Sequence, residues 1–233
     1  MKIGFIGLGN VGFKLANSLL SAGHNLYIFD LEKSNAEELI QSGAVWTDSP
    51  KELSFLSDIA ITCLPSPEAV ANVVEGDNGI IQGTSEGKVW IEMSTTDSKE
   101  MLRLGKLMEN KGIHCCEAPV SGGCHRAASG NIAILVGGSR IAFDRAFPAL
   151  SAMGYEILHV GDLGKASVLK VVTNYLASTH LVALGEGLMV CKKAGIDMQK
   201  VYEGIKISSG NSFVHETESQ VIMNGSYNIN FTM

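Results

Sequence analysis

A glycine-rich turn near the amino terminus has the residue types and spacing of an anion-binding loop. The apolar run Lys2–Ile6 leads into a Gly-x-Gly-x-x-Gly pattern made of Gly7, Leu8, Gly9, Asn10, Val11 and Gly12. The first glycine permits a tight turn, the second lets the backbone approach a pyrophosphate, and the third allows a helix to pack closely on the strand. The alternative is a strand–turn–helix that merely needs small residues.

Asp30 favours the binding interpretation. It ends a second apolar run, residues 25–30, and lies 21 residues after Gly9. At that spacing a carboxylate can hydrogen-bond both ribose hydroxyls of an adenosine. The next residue is Leu31, so no arginine adjoins Asp30 to receive a 2′-phosphate. The pattern therefore predicts a dinucleotide site that prefers NAD, with NADP less favoured.

A second small-residue loop, residues 117–123, follows another strand-like run. It offers the hydroxyl of Ser121 and the backbone N–H groups of Gly122 and Gly123. Successive amides of this kind hold a carboxylate as a backbone nest holds other anions. An ordinary glycine turn explains the segment equally well, so both interpretations remain open at this point.

Lys170 is the only charged residue in the stretch 166–185. A helix that is apolar nearly all round is predicted to be buried. Burial lowers the pKa of a lysine, which suits a general acid or base near neutral pH. Asn174 lies one turn later on the same helical face, where the two side chains could grip one oxygen atom. The alternative is a lysine that snorkels to the surface.

Alternating strand-like and helix-like segments fill residues 1–162 and must position these groups. Strands that are continuous apolar runs are typical of a parallel sheet covered on both faces. We therefore predict an α/β fold, a Rossmann-type doubly wound parallel sheet with right-handed crossovers. The clearest helices are expected at residues 98–110 and 140–153, and Ser34 is expected to cap a shorter helix.

The pattern changes in residues 163–233. From residue 165 to about residue 194 the sequence contains no proline and no strand-like run. A long interdomain helix is predicted for residues 165–194. Two shorter helices are expected at residues 198–207 and 213–223, so this part is predicted to be a truncated all-α domain.

The composition excludes several classes of protein. The 233 residues carry 18 basic and 24 acidic side chains, a net charge of −6, and 45% are hydrophobic. Such a chain is not disordered, and without a basic block it is not expected to bind nucleic acid or a membrane surface. Polar residues interrupt the most apolar stretch, so no membrane span is predicted. Five cysteines, two of them adjacent, indicate a cytoplasmic protein.

A cluster of histidines and cysteines invites a metal-site interpretation; it comprises His114, Cys115, Cys116, Cys124 and His125. Its spacing matches no zinc pattern. Neighbouring strand residues point to opposite faces, so the adjacent cysteines cannot easily share one ion. Buried thiols and a solvated histidine are predicted instead, and no metal is expected.

Together these segments resemble the β-hydroxyacid dehydrogenase family, which includes 3-hydroxyisobutyrate dehydrogenase and the tartronate, glyoxylate and succinic semialdehyde reductases. The resemblance lies in residues 3–12, 64–65, 94–95, 118–123 and 161–174. It implies that the catalytic groups are Lys170 and Asn174. It implies that the substrate carboxylate binds Ser121, Gly122 and Gly123, and that the nicotinamide half of the cofactor lies near Leu64, Pro65 and Thr95.

The reaction implied by the resemblance is reversible hydride transfer between the alcohol carbon of a β-hydroxyacid and a nicotinamide. Lys170 exchanges the hydroxyl proton while the cofactor carries out the redox chemistry. The expected partner is a small-molecule β-hydroxyacid or the corresponding semialdehyde. The long apolar helix also points to a homo-oligomer.

Four departures from the family pattern matter. Thr173 precedes Asn174 where the family often has a second asparagine, and Ala166 replaces a usual glycine. Arg126 also replaces a glycine, and is expected to narrow the pocket or to pair with a second acidic group on a substrate. Family members usually continue past a segment like residues 227–233 into helices that carry a lysine–aspartate pair. The chain is thus expected to be a shortened form, and a non-catalytic NAD-binding or interaction protein is the alternative function.

Overall fold

The computed structural model describes residues 1–226, apart from the side chain of His125. Residues 227–233, on which the expectation of a shortened terminus rests, lie outside the described residues. The chain forms two compact units, of which the first is Met1–Lys170 and the second begins at Val171. Within residues 1–226, no helix has both the length and the apolarity to cross a membrane.

The first unit is built on one sheet whose strands are mostly short apolar runs. They are β1 (Lys2–Ile6), β2 (Asn25–Phe29), β3 (Val45–Trp46), β4 (Ile59–Thr62), β5 (Val89–Glu92), β6 (His114–Glu117), β7 (Val120–Ser121), β8 (Ile132–Gly138) and β9 (Gly154–Gly161).

Helices follow most of these strands, and after β9 the described chain contains only helices. They are α1 (Gly12–Ser21), α2 (Glu37–Gln41), α3 (Pro50–Leu56), α4 (Pro67–Glu75), α5 (Ile80–Gly83), α6 (Ser98–Glu109), α7 (Gly123–Ala128), α8 (Arg140–Met153), α9 (Lys165–Lys193), α10 (Met198–Lys206) and α11 (Phe213–Met223).

The strand order is β3-β2-β1-β4-β5-β6-β8-β7, and β9 pairs with β8. From β3 to β6 every neighbouring pair is parallel, which confirms the predicted Rossmann-type sheet. The sheet differs from an all-parallel one where β8 pairs with β6 and β7, because both pairings are antiparallel. Between β7 and β8 the chain forms only the short helix α7, too little for the crossover that parallel neighbours need.

Each face of the sheet carries its own apolar cluster. One cluster includes Ile3, Phe5 and Cys116, and the other includes Trp90 and Cys115. The two adjacent cysteines therefore point to opposite faces, as predicted from the alternation of side chains along a strand. All five cysteines of the chain are free thiols.

The predicted serine cap at Ser34 is wrong. A 3₁₀ turn, Lys33–Ala36, precedes α2, and no side chain among the described residues caps either element. The reason lies in Asp30, whose carboxylate accepts hydrogen bonds from the amide of Glu32 and the side chain of Asn35. These local bonds form a tight turn in place of a helix start with an extended capping residue.

In the second unit, α9 continues from Val171 and is followed by α10 and α11. Its apolar cluster consists of Leu184, Leu188, Val201 and Val214. The prediction that α9 is buried all round is wrong for this unit, because many of its apolar side chains are exposed, among them Tyr175, Val182 and Val190. Two short helices offer too little apolar surface to cover a helix of this length.

Candidate functional site

The glycine turn after β1 combines a strained turn with an open backbone surface. Gly7 has a φ of 95°, and a side chain there would collide with the carbonyl oxygen of Cys63. A side chain at Gly12 would collide with the carbonyl oxygen of Gly7. At Gly9, by contrast, no heavy atom of the described residues lies within 4 Å of an added Cβ. The order of turn, open face and tight helix contact suits a bound pyrophosphate.

The start of α1 supplies the electrostatic part of this site. Val11 is its N-cap residue, and no side chain in the described part of the chain caps it. An uncapped helix N-terminus presents amide donors and the positive end of the helix dipole to an anion. The open face at Gly9 and the uncapped α1 therefore fit the pyrophosphate of a dinucleotide.

Asp30 follows β2 and contacts the glycine turn directly. Its Oδ2 accepts a hydrogen bond from the amide of Leu8 at 2.6 Å, and its Oδ1 accepts one from the amide of Glu32 at 2.9 Å. An ionised carboxylate has about four acceptor positions, so capacity remains for a ribose hydroxyl. Asp30 thus braces the turn, a contact that the spacing of the sequence did not predict.

The loops after β4 and β5 meet beside the glycine turn. The amide of Leu64 donates to the Oγ of Ser94 at 2.7 Å, and a side chain at Gly7 would contact Leu64. Pro65 and Thr95, the next residues of the two loops, are exposed. Since β1, β4 and β5 are parallel neighbours, their carboxyl ends bring these predicted cofactor residues to one edge of the sheet.

The predicted carboxylate loop lies at the end of β7. Gly122 and Gly123 have φ values of 122° and 77°, a region that side-chain-bearing residues rarely adopt. Ser121 is half-buried. The Cδ of Arg126 would lie 2.7 Å from a Cβ added at Gly122, so the arginine side chain runs along this loop.

Lys170 is buried, with 8% of its surface exposed, so the alternative of a snorkelling lysine is wrong. Burial lowers the pKa of Lys170 from 10.5 to about 8. Lys170 is the last residue of the first unit, and Asn174 lies four residues farther along α9, in the second unit.

The structure adds two carboxylates that the sequence interpretation passed over. Glu92 ends β5 and Glu117 ends β6, they are paired in register, and both side chains are fully buried. Burial, with a smaller contribution from Glu117, raises the pKa of Glu92 to about 7. A signal was available, because each acid directly ends an apolar run, where a charge needs a structural partner.

Glu117 joins the start of α9 to the sheet. Its Oε1 accepts a hydrogen bond from the amide of Ala166 at 2.7 Å, and its Oε2 accepts one from the hydroxyl of Ser167. Glu117 therefore attaches the start of α9, the helix that contains Lys170, to the end of β6. The strand β7, which ends in Ser121, begins three residues after Glu117. Among the described side chains, no group of three or more His, Cys, Asp or Glu could hold a metal ion.

Comparison with known proteins identifies the family. A family model described as the NAD-binding domain of 6-phosphogluconate dehydrogenase matches residues 2–161. A second, described as NAD-binding of NADP-dependent 3-hydroxyisobutyrate dehydrogenase, matches residues 164–233. The 2-(hydroxymethyl)glutarate dehydrogenase of Eubacterium barkeri is 36% identical over 234 residues, which cover 100% of this chain and 78% of that protein. The chain belongs to the β-hydroxyacid dehydrogenase family.

Other members of the β-hydroxyacid dehydrogenase family agree with this assignment. The 3-hydroxyisobutyrate dehydrogenase of Pseudomonas aeruginosa is 33% identical over 211 residues, 91% of this chain and 71% of that protein. A solved structure described as Psf3 in complex with NADP+ and 2-OPP has a TM-score of 0.90 and 25% identity. It matches 96% of this chain and 79% of that chain.

Membership establishes the chain as an NAD(P)-dependent oxidoreductase that acts on hydroxyl groups, as predicted from the resemblance. The relatives named are dehydrogenases, which supports the enzyme and not the non-catalytic alternative. The family models and the structure with NADP+ establish NAD(P)-binding domains without separating NAD from NADP.

Proposed function

We propose that this chain interconverts a small β-hydroxyacid and its semialdehyde with NAD as the redox partner, and that Lys170 is its acid–base group. The observation that carries the proposal is the burial of Lys170 at the start of a helix attached to the end of β6. A lysine with a pKa near 8 has about a tenth of its amine neutral at pH 7, far more than an ordinary lysine, which suits a group that exchanges protons.

The proposed cofactor site lies at the carboxyl ends of the parallel strands of the sheet. The glycine turn and α1 hold the pyrophosphate, Asp30 accepts hydrogen bonds from the adenosine ribose, and the loops of Leu64, Pro65 and Thr95 face the nicotinamide half. The exposed Leu31 beside Asp30 offers no charge to a 2′-phosphate, which supports NAD over NADP. A nicotinamide bound there supplies the hydride acceptor for oxidation and the hydride donor for reduction.

The chain's own residues handle the carboxylate and the proton. The hydroxyl of Ser121 and the amides of Gly122 and Gly123 hold the substrate carboxylate, because donors on small residues let it approach the backbone. The neutral Nζ of Lys170 takes the proton of the hydroxyl group during oxidation and returns it during reduction. Asn174 orients the reacting oxygen.

Two further features of the proposal rest on separate observations. Free thiols at all five cysteines support a cytoplasmic location. The exposed apolar side chains of α9 support a homo-oligomer. We also retain the division into a dinucleotide domain of residues 1–162 and a helical part of residues 163–233.

A substrate panel tests the proposed reaction. Purified protein is mixed with NAD and each of several β-hydroxyacids, or with NADH and the semialdehydes, and NADH absorbance is followed. We expect turnover of at least one β-hydroxyacid and none of the matched α-hydroxyacids, because the carboxylate loop and Lys170 fix the distance between the two groups. Turnover of α-hydroxyacids alone would contradict the proposal.

Arg126 is proposed to bind a second carboxylate on the substrate. Its side chain runs along the proposed carboxylate loop at Gly122, and a relative 36% identical is named for a glutarate derivative, a dicarboxylate. We expect Arg126→Gln to lower kcat/KM for 2-(hydroxymethyl)glutarate about tenfold relative to 3-hydroxyisobutyrate, since a charge-assisted hydrogen bond is lost.

Two further variants separate charge from space. Arg126→Gly removes the charge and also opens the pocket, so if Arg126 merely narrows the pocket, this variant alone gains activity on bulky monocarboxylates. Arg140→Gln is the matched control, because Arg140 is an exposed arginine of α8 that pairs with Asp144. An unchanged substrate profile in both Arg126 variants would refute a role in specificity.

A further inference from the structure

Glu92 and Glu117 form a buried acidic pair at the carboxyl ends of two neighbouring strands. Glu92 of β5 and Glu117 of β6 are register partners, and neither side chain is exposed. Burial of a carboxylate is costly unless hydrogen bonds replace its water. The donors that each acid has acquired therefore indicate what it holds in place.

Glu117 is bonded to the first turn of α9. It accepts hydrogen bonds from the amides of Ala166 at 2.7 Å and Ser167 at 3.2 Å, and from the Ser167 hydroxyl. Amides at a helix start have no partner within the helix, and they favour an acceptor of negative charge. Ala166 lies one turn before Lys170, so Glu117 fixes the helical turn that directly precedes the lysine.

The side chain of Glu117 occupies space that a side chain at Gly137 of β8 would otherwise fill. A Cβ added at Gly137 of β8 would collide with the Oε1 of Glu117 and lie 2.9 Å from its Cγ. Glycine inside a strand weakens it and marks a close approach of another group. The absence of a side chain at Gly137 therefore allows Glu117 to occupy this position beside β8.

Glu92 is bonded to the loops on the cofactor side. Its Oε1 accepts a hydrogen bond from the amide of Ser94 at 2.6 Å, and its Oε2 accepts one from the hydroxyl of Thr62. Ser94 in turn accepts a hydrogen bond from the amide of Leu64 at 2.7 Å, and Thr62 accepts one from the indole of Trp90. Glu92 thus connects the end of β4 with the loop that continues to Thr95.

We propose that the acidic pair positions the two halves of the reaction centre, Glu117 by orienting Lys170 and Glu92 by fixing the loops of Leu64 and Thr95. The inference rests on the proposed function for the roles of those residues. Both acids are positioning residues, because they act on substrate and cofactor through other groups. The register of β5 and β6 sets the spacing between the two halves.

The test uses Glu117→Gln and Glu92→Gln in the full chain, since glutamine keeps the shape of the side chain and replaces one acceptor oxygen with an NH2 donor. Two readouts need no turnover. The first is the affinity for NADH, measured by its fluorescence. The second is the rate at which acetic anhydride acetylates Lys170 as a function of pH, followed by mass spectrometry, which gives the pKa of that amine.

We expect the two variants to give opposite patterns. Glu92→Gln weakens NADH binding about tenfold and leaves the Lys170 titration in place. Glu117→Gln moves the pKa of Lys170 from about 8 towards its ordinary value, because a loosened first turn lets water reach the amine, and changes NADH affinity less than about threefold. Glu75→Gln, which alters an exposed acid paired with Arg103, changes neither readout.

A general loss of structure predicts a different result, namely that both variants disturb both readouts together, and that result would overturn the proposal. No change in either variant would also overturn it. If Glu117→Gln fails to fold, Ser167→Ala removes one of the donors to Glu117, and Ser167→Thr restores the hydroxyl. Ser167→Ala must then shift the Lys170 titration and Ser167→Thr must rescue it. Activity in Lys170→Ala, by contrast, refutes the proposed function and leaves these two readouts valid.

Discussion

Replacement of Lys170 by alanine is expected to lower kcat for β-hydroxyacid oxidation about a thousandfold, within the range for loss of a general acid–base group. Lys170 is the one charged residue of an apolar stretch, and it is buried with a lowered pKa. The affinity for NADH should change less than about threefold, because the proposed cofactor contacts lie on other strands and loops. Stopped-flow turnover and NADH fluorescence measure the two quantities.

Lys165→Ala is the matched control for this experiment. Lys165 begins the same helix, but its side chain is exposed and pairs with Asp162 at the surface, so its loss should leave kcat unchanged. Near-normal turnover in Lys170→Ala, or an equal loss in Lys165→Ala, would contradict the assignment.

The pH dependence of the native enzyme supplies an independent check on Lys170. Oxidation needs the neutral amine, so kcat/KM for the β-hydroxyacid should rise as pH increases through about 8 and then level off. Reduction needs the ammonium form, so its rate should fall over the same interval. Both transitions should be absent in the residual activity of Lys170→Ala.

The double substitution Asp30→Ser with Leu31→Arg is expected to shift the ratio of NAD to NADP affinity about a hundredfold towards NADP. It removes a carboxylate that repels a 2′-phosphate and adds a guanidinium that binds one. Leu31 is 91% exposed, so arginine fits there without repacking. Serine still offers an oxygen to the amide of Leu8, which now donates to Asp30. Dissociation constants for both dinucleotides, measured by quenching of intrinsic fluorescence, give the ratio.

Leu31→Arg alone is the matched control for the cofactor switch. It adds the positive charge and keeps the carboxylate, so NADP should gain little because Asp30 still faces the phosphate. A native protein that binds NADP more tightly than NAD would refute the proposed preference, and the family assignment would stand.

Features with a local cause were predictable from the sequence. The bounds predicted for two helices, residues 140–153 and 213–223, match α8 and α11 because their apolar residues recur at helical spacing. The geometry of Gly7 and Gly12 was predictable for a similar reason, since a tight turn between a strand and a helix excludes side chains by short-range contact.

Features that depend on distant partners were not predictable. The spacing of Asp30 from the glycine motif predicted a hydrogen bond to a ribose. Its contact with the amide of Leu8 was not predictable, because it depends on the pairing of β1 with β2. The long helix α9 was expected to be buried because of its apolar residues, but burial requires surface from other elements. The antiparallel pairing of β7 with β8 followed from a short connection whose path the residue pattern did not specify.

The sequence by itself determined the dinucleotide fold, the glycine turn and the choice of Lys170, because periodicity, steric exclusion and one charge in an apolar stretch act over a few residues. Only the tertiary structure decided that Lys170 is buried and that Glu117 holds the start of its helix. Glu117 and Ala166 are 49 residues apart in the chain. Their contact depends on strand register and on the removal of water, which no single segment controls.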